Sequence, residues 1–169
     1  KTGLDSTTAD GLALFDKAHT GLTGVATQSN VFTNAFGNDD AMLNRLANIG
    51  MNFKNATGHV MGYTFDTLIV PGNAYRLITL GKKIINSDQQ VGSNYNDANV
   101  NKGMWKLVVD HHWQCEDGTE PYIIMSSQAN KDLMGNMFYD RTPLEIEQDV
   151  DVRTQNLISS CRCRFSVGF

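Results

Sequence analysis

The sequence has little cysteine, no long apolar run and no excess of basic residues. Its three cysteines lack the paired spacing of a disulfide framework, so a reducing compartment is the simpler interpretation. No apolar stretch approaches the ~20 residues that a membrane-spanning helix needs, and the first residues do not have the pattern of a signal peptide. The formal net charge of −4 is evidence against a dedicated nucleic-acid-binding protein, which normally carries a basic patch or stripe.

The size and composition predict a small globular protein with many loops. The chain has 169 residues, of which 41% are hydrophobic and 19% charged. That length suffices for one domain or two small lobes with a hydrophobic core. Because residue 1 is lysine rather than methionine, we expect a processed chain or a part of a longer one.

The beginning of the chain predicts irregular structure and then a helix. Residues 1–37 are rich in small polar residues, and the Asp10-Gly11 pair predicts a turn that opens a loop or hairpin. Asn38 or Asp39 can cap the helix that follows. Apolar residues at helical spacing predict its buried face: Met42, Leu46, Ile49 and Phe53.

The most regular part of the chain predicts a strand, a turn and a second helix. Thr67–Val70 is a short apolar run typical of a buried strand, and Pro71-Gly72 ends it. Asn73 is predicted to open the next helix. The apolar side of that helix comprises Leu77, Leu80 and Ile84.

The second half predicts a polar loop and then strands, which makes the fold class α+β. The loop, Asn86–Gly103, is rich in asparagine and has no periodicity. "MWKLVVD" and "PYIIMSS" predict two strands with a turn at residues 116–118 between them. "MFYDRTPLEIEQDVDVRT" predicts one or two more, with a break or sheet edge at Pro143. The strict alternation of "SCRCRFSVGF" predicts a half-buried strand.

The stretches "DHHWQC" and "CRCRF" contain residues that bind zinc in other proteins. The candidate ligands are His111 or His112, Cys115, Cys161 and Cys163. Two sulfurs on one zinc ion lie roughly 3.8 Å apart, whereas residues two apart on a strand are separated by ~6.7 Å. Adjacent histidines on a strand point to opposite faces. The spacing therefore argues against zinc and favours Cys163 as a small core residue.

Other catalytic signatures are missing as well. The sequence has no phosphate-binding loop, no dinucleotide-binding glycine motif, no nucleophile elbow and no metalloprotease motif. His19 could act as a base only with a partner that the sequence does not identify.

An acidic stretch alternates at period two, which places its carboxylates on one side of a strand. Its members are Glu145, Glu147, Asp149 and Asp151. A cation site is one interpretation, and the favoured one is contact with basic neighbours. Arg153, Arg162 and Arg164 could supply these neighbours within the chain or from another copy.

The stretch "TGHVMGYTFDTLIVPGNAYRLITLGKKIIN" resembles the major capsid proteins of tailed bacteriophages, which have the Hong Kong 97 fold. "DGLALFDKAHTGLTG" is similar to a segment that precedes it in that family. "WKLVVDHHW" and "PYIIMSS" are similar to strands of its axial domain, and "DVDVRTQNLISSCRCRFSVGF" to a late strand of its peripheral domain. The order and approximate spacing of these pieces match over most of the chain.

The chain departs from the family pattern in two ways. The family commonly has proline where this chain has His111 and Gly72. Family members are also longer, with an N-terminal arm, an extended β-hairpin and a long spine helix before the "DGLALF" point. The resemblance therefore covers the later portion of a capsid subunit.

The resemblance implies an architecture and a role. Residues 1–60 would belong to the peripheral domain, residues 61–140 would form the axial domain, and residues 141–169 would return to the peripheral domain. The protein would be a structural subunit, without catalysis, cofactor, membrane contact or small-molecule substrate. It would assemble in the host bacterial cytoplasm into pentamers and hexamers of an icosahedral virion capsid around double-stranded DNA. Non-specific DNA contact and scaffolding, portal or decoration proteins are expected as further partners.

The resemblance and the charge pattern also imply assembly residues. The polar loop would lie at the capsomer axis, with candidate residues Asn86, Gln89, Asn94, Tyr95, Asn96 and Asn99. Candidates for charge contacts between subunits are Glu145, Glu147, Asp149, Arg153, Arg162 and Arg164. Two alternatives stay open: an encapsulin-like shell protein, and a small metal-binding or enzymatic α+β domain that uses His112 and Cys115.

Overall fold

The computed structural model describes residues 7–8, 10–21, 24–33, 41–92, 97–116, 118–135 and 137–168. The chain divides into two compact units, residues 1–127 and residues 128–169. The predicted division into three segments stays a prediction. Helices and small sheets alternate along the described chain, which confirms the α+β class. None of the described helices is long and apolar enough to cross a membrane.

The first unit contains a three-stranded mixed sheet. Its strands are β1 (Thr67–Pro71), β2 (Lys106–Asp110) and β3 (Ile123–Met125), in the order β2-β1-β3. Strand β1 pairs in parallel with β2 and antiparallel with β3. The sequence predicts a turn between β2 and β3, but these two strands are not neighbours in the sheet. The most apolar strand, β1, lies between them. Its burial on both faces fits a continuous apolar run.

Two helices supply most of the core, and the second of them packs on the sheet. They are α1 (Ala41–Met51) and α2 (Tyr75–Asn86). The predicted apolar side of α2 is confirmed, since Leu77, Leu80 and Ile84 are all buried. They pack in one cluster with side chains of β1 and with Trp105.

The predicted buried face of α1 is confirmed at Leu46 and wrong in its other members. Leu43 and Leu46 are the fully buried residues, whereas Met42 and Ile49 are not fully buried and Phe53 lies beyond the end of the helix. Gly50, in the last turn of α1, packs closely against the ring of Phe65. The predicted capping residues, Asn38 and Asp39, lie outside the described residues.

Asn73 does not cap α2 as predicted. The N-cap position is Ala74, which makes no side-chain cap bond. The Asn73 side chain instead donates to the carbonyl of Cys115 and accepts from its backbone N–H, at 2.8 and 3.0 Å. Sequence spacing alone did not reveal this long-range pairing.

A short helix that the sequence analysis missed, α3 (Ser127–Asp132), begins after β3. The carboxylate of Asp66 accepts hydrogen bonds from the backbone N–H and the hydroxyl of Ser127. These bonds and one from the Thr67 hydroxyl outweigh the opposing effect of partial burial and lower the pKa of Asp66. A residue 61 positions away thus caps α3.

The second unit contains a long antiparallel ribbon. Its strands are β4 (Met137–Val150) and β5 (Leu157–Gly168). The pairing shifts register between Asp140 and Thr142 and again between Thr142 and Glu145. Around Pro143, β4 therefore contains more residues than the stretch of β5 that it pairs with. The prediction that the last strand is half-buried was wrong, because nearly every described residue of β5 is exposed.

Candidate functional site

The two faces of the β4–β5 ribbon differ in chemistry. Residues that pair across an antiparallel ribbon share a face, and alternate residues change face. The pairing places Asp140, Gln148 and Ser159 on the more apolar of the two faces. The other residues of this face define the apolar ribbon face: Phe138, Ile146, Val150, Leu157, Cys161, Cys163, Phe165 and Val167. The pairing also defines a charged ribbon face: Glu145, Glu147, Asp149, Arg162 and Arg164.

The apolar ribbon face is open to solvent. Its large side chains, from Phe138 to Val167, are 53–66% exposed, and the rings of Phe138 and Phe165 stack with centroids 5.4 Å apart. The interpretation of Cys163 as a core residue was therefore wrong, since both Cys161 and Cys163 are exposed. A two-stranded ribbon is marginally stable by itself in water, and contiguous exposed apolar side chains of this kind mark interaction surfaces.

The charged ribbon face contains one internal ion pair and several charges without one. Arg162 donates to the Glu145 carboxylate at 2.8 Å. Glu147 lies opposite Ser160, and Arg164 lies opposite Thr142. In the described part of the ribbon no ion pair involves Glu147 or Arg164.

Asp149 also lacks an ion pair across the described part of the ribbon, because the uncharged residue Ile158 lies opposite it. Asp151 leaves the alternation and does not extend the row of carboxylates. Its carboxylate accepts from the backbone N–H of Arg153 and the hydroxyl of Thr154 in the turn that joins the strands. These bonds lower the pKa of Asp151.

The loop predicted to lie at a capsomer axis has internal order near α2. Residues 88–90 and 97–99 run antiparallel, with a bridge between Gln89 and Ala98. Asn99 is buried, and its amide donates to the carbonyls of Ile84 and Ser87 at 2.6 and 2.9 Å. Asn99 therefore satisfies the C-terminal end of α2.

The other members of that candidate set differ in position. Asn86 and Gln89 are exposed. Asn94, Tyr95 and Asn96 lie outside the described residues, so their assignment to the axis stays a prediction.

The "DHHWQC" stretch forms a bend directly after β2. His111 and His112 lie beyond the strand, so the alternation of side chains along a strand does not decide where they point. The backbone N–H of Gly72 donates to the carbonyls of Asp110 and Trp113 at 2.8 and 3.1 Å and holds this bend against the end of β1. The Cys115 thiol lies 3.2 Å from the side-chain oxygen of Asn73 and donates to it.

The bend does not assemble a metal site. Across the described ranges, no group of three or more histidine, cysteine, aspartate or glutamate side chains is placed to hold a metal ion.

An apolar cleft of about 470 Å³ lies in the first unit, between the N-terminal segment and β3. Its polar side chains are already engaged. Asn30 bonds to the backbone of Leu14 and Asp16, and Glu120 pairs with Arg76, which lowers the pKa of Glu120. The cleft, as lined by the described residues, therefore lacks a free acid–base pair of the kind that marks an active site.

The Asp10 carboxylate lies 2.8 Å from the Nδ1 of His19, and the Thr8 hydroxyl donates to the same carboxylate. Hydrogen bonds from Thr8 and then His19 hold the pKa of Asp10 well below its usual range. The Nε2 of His19 is buried, with no hydrogen-bond partner among the described residues. Within that part of the chain, this geometry stabilises a local turn and presents no nucleophile to the histidine.

The sequence analysis identified most of the charged ribbon residues but missed how they are distributed. β5 carries only arginines, and the regular part of β4 after Pro143 carries only carboxylates among its charged residues. Writing the two strands one above the other would have revealed this separation. Comparisons with protein-family models, curated proteins and solved structures found no match for the chain.

Proposed function

We propose that this protein is a structural subunit of an icosahedral phage capsid, which self-assembles into pentamers and hexamers around the DNA genome. One observation carries the proposal: the β4–β5 ribbon presents an apolar face and unpaired charges to solvent. A monomeric protein rarely exposes so many large apolar side chains on one face of a ribbon. A shell subunit would cover it with neighbouring copies, and repeated weak contacts under closed symmetry make a stable particle.

Two further observations support a structural role. The ordered motifs that resemble capsid proteins extend over most of the chain. Asn30 and Glu120, which line the apolar cleft of the first unit, are bonded to neighbours within the chain. A capsid subunit needs extended contact surfaces and no convergent catalytic groups, whereas an enzyme needs a nucleophile, base or metal in a pocket.

The test is the size of the assembled protein. Sedimentation velocity and negative-stain electron microscopy of the protein from its native source should show uniform closed shells. Small dispersed particles in intact material would contradict the proposal.

A matched pair of variants tests the contribution of the ribbon. Val167→Asp places a charge on the apolar ribbon face, and Val60→Asp does so at a similarly exposed valine of the first unit; the two side chains are 64% and 57% exposed. We expect Val167→Asp to reduce the yield of particles and Val60→Asp to leave it unchanged, because only the first would be buried by assembly. Equal yields would contradict the assignment of the ribbon as a contact surface.

A further inference from the structure

The two outer edges of the ribbon are not equivalent. Pro143 and the two register shifts fall on β4 between Asp140 and Glu145, where they blunt the strand edge, and the pairing is regular from Glu145 to Val150. β5 pairs regularly and contains no proline and no lysine. Among the described residues, β5 pairs only with β4, so its outer edge offers unpaired backbone groups.

Charge complementarity selects the strand that fits this edge. A second β5 that paired antiparallel about Cys163 would bring Arg162 of each copy opposite Arg164 of the other, which is unfavourable for directly opposed residues. The regular part of β4, residues 145–150, carries three carboxylates and no basic residue. The outer edge of β4 in another copy is therefore the complementary partner.

The structure points to a specific pairing: we propose that residues 161–166 of one copy pair antiparallel with residues 150–145 of a second copy. Arg164 then lies opposite Glu147, and Arg162 opposite Asp149. Both carboxylates lack a charged partner across their own ribbon. A register two residues away would instead direct Arg164 to Glu145, which is already paired with Arg162.

The same register matches the apolar ribbon faces. Phe165 lies opposite Ile146 of the second copy, and Cys161 lies opposite Val150. Faces match because the pairing preserves the alternation of both strands. Charged and apolar pairs therefore favour the same register.

This contact joins two different edges, so it is head-to-tail. Each copy offers β5 to one neighbour and β4 to another, which generates a ring or an open chain of copies. The inference rests on the proposed function for its biological setting, since it names a contact through which subunits associate. Its physical basis, strand addition with opposite charges, is independent of shell formation.

Charge reversal tests the pairing. Arg164→Glu and Glu147→Arg should each weaken self-association of the full chain, measured by sedimentation velocity over a concentration series. Replacing an attraction with a repulsion corresponds to roughly a 2- to 30-fold change in the dissociation constant. The double variant should recover most of the loss, because the two exchanged side chains would again be opposite in charge.

Matched controls carry the same change in charge outside the paired strands. Lys82→Glu lies at an exposed position of α2, and Glu116→Arg is a position of the first unit outside its strands. Both controls should associate like the unmodified protein. If Arg164→Glu behaves like Lys82→Glu, or if the double variant shows no recovery, the pairing is wrong.

A cysteine placed on β4 tests the register. In a background with Cys115→Ser and Cys161→Ser, Cys163 is the single remaining thiol. Gln148→Cys would then lie opposite Cys163 of the second copy, within the Cα separation that disulfides require. Oxidation should give reductant-sensitive oligomers. Ile146→Cys, two residues away on the same face, should crosslink far less, and the reverse order would overturn the proposed register.

These experiments can distinguish failure of the proposed strand pairing from failure of the proposed capsid function. Closed shells that Arg164→Glu leaves intact would overturn the strand pairing and support the capsid function. Short head-to-tail oligomers that Arg164→Glu dissociates, without shells, would support the pairing and contradict the capsid function. A protein that stays monomeric at every concentration reached would contradict both.

Discussion

Gly72 provides a quantitative test of how the first unit is held together. A Cβ atom at this position would lie 2.8 Å from the Cα of His111 and 3.1 Å from the carbonyl oxygen of Asp110. Both are backbone atoms, so the clash cannot be relieved by rotating a side chain. Gly72→Ala must separate β1 from the bend after β2, and overpacking of this kind costs about 1–3 kcal/mol.

Gly72→Pro adds a second effect at the same position. The N–H of Gly72 donates to the carbonyls of Asp110 and Trp113, and proline has no N–H. Losing these bonds costs about a further 1–3 kcal/mol, so the total is roughly 2–6 kcal/mol. Since small domains unfold with about 5–15 kcal/mol, this substitution should leave the first unit marginally stable.

The assay is urea denaturation followed by tryptophan fluorescence. Trp105 is 6% exposed and packs in the core of the first unit, so its emission should change when that core opens. Tyr75→Ala is the control, because Tyr75 is 79% exposed and surface changes usually stay within about 0.5 kcal/mol.

The expected order of stability is unmodified protein, then Gly72→Ala, then Gly72→Pro. A Gly72→Pro variant as stable as the unmodified protein would refute the close approach of the two backbones. It would also remove the physical reason for glycine at a position where the resembling capsid proteins commonly have proline.

Three further predictions concern the core, one carboxylate and zinc. Leu77→Ala, at a residue 1% exposed, should lower the free energy of unfolding by about 2–5 kcal/mol, and a loss below about 1 kcal/mol in urea denaturation would contradict the core packing. The pKa of Asp66 is lowered on folding, so its contribution to stability should be full above about pH 4 and decline as the pH falls further. Asp66→Asn should therefore flatten the fall in stability between neutral and acidic pH, and curves of equal slope would show that the bonds to Ser127 contribute nothing. The double variant His112→Ala with Cys115→Ala should fold normally, and neither protein should gain thermal stability from added zinc; a zinc-dependent rise in the melting temperature of the unmodified protein alone would revive the metal-binding alternative.

The elements with strong local patterns could be predicted from the sequence. The second helix and the strand before it follow from apolar spacing and from the Pro71-Gly72 stop. The alternation in "SCRCRFSVGF" correctly predicted a strand. Its exposure could not be predicted, because alternation reports which residues share a face and not what covers that face.

The candidate site, like the fold, could be predicted from the sequence only in part. The sequence predicted that acidic residues share one side of a strand, and the structure places Glu145, Glu147 and Asp149 on one ribbon face. The sequence also predicted arginines as neighbours of these carboxylates. Only the pairing of β4 with β5 decides which carboxylate forms the ion pair with Arg162. The charges left over, on which the proposed contact depends, are visible only after that pairing is known.

The sequence by itself determined the α+β class, the positions of the main helix and strands, and the absence of the common catalytic motifs, because these depend on residues close together in the chain. Only the tertiary structure decided the strand order β2-β1-β3, the Asp66 cap on a helix 61 residues away, and the exposure of both ribbon faces. Such features depend on which distant segments of the chain come into contact. The entropic cost of closing a loop rises only slowly with loop length, so many alternative long-range contacts have nearly the same entropic cost. Packing and the satisfaction of backbone groups choose among them, and neither has a signature within a short window of sequence.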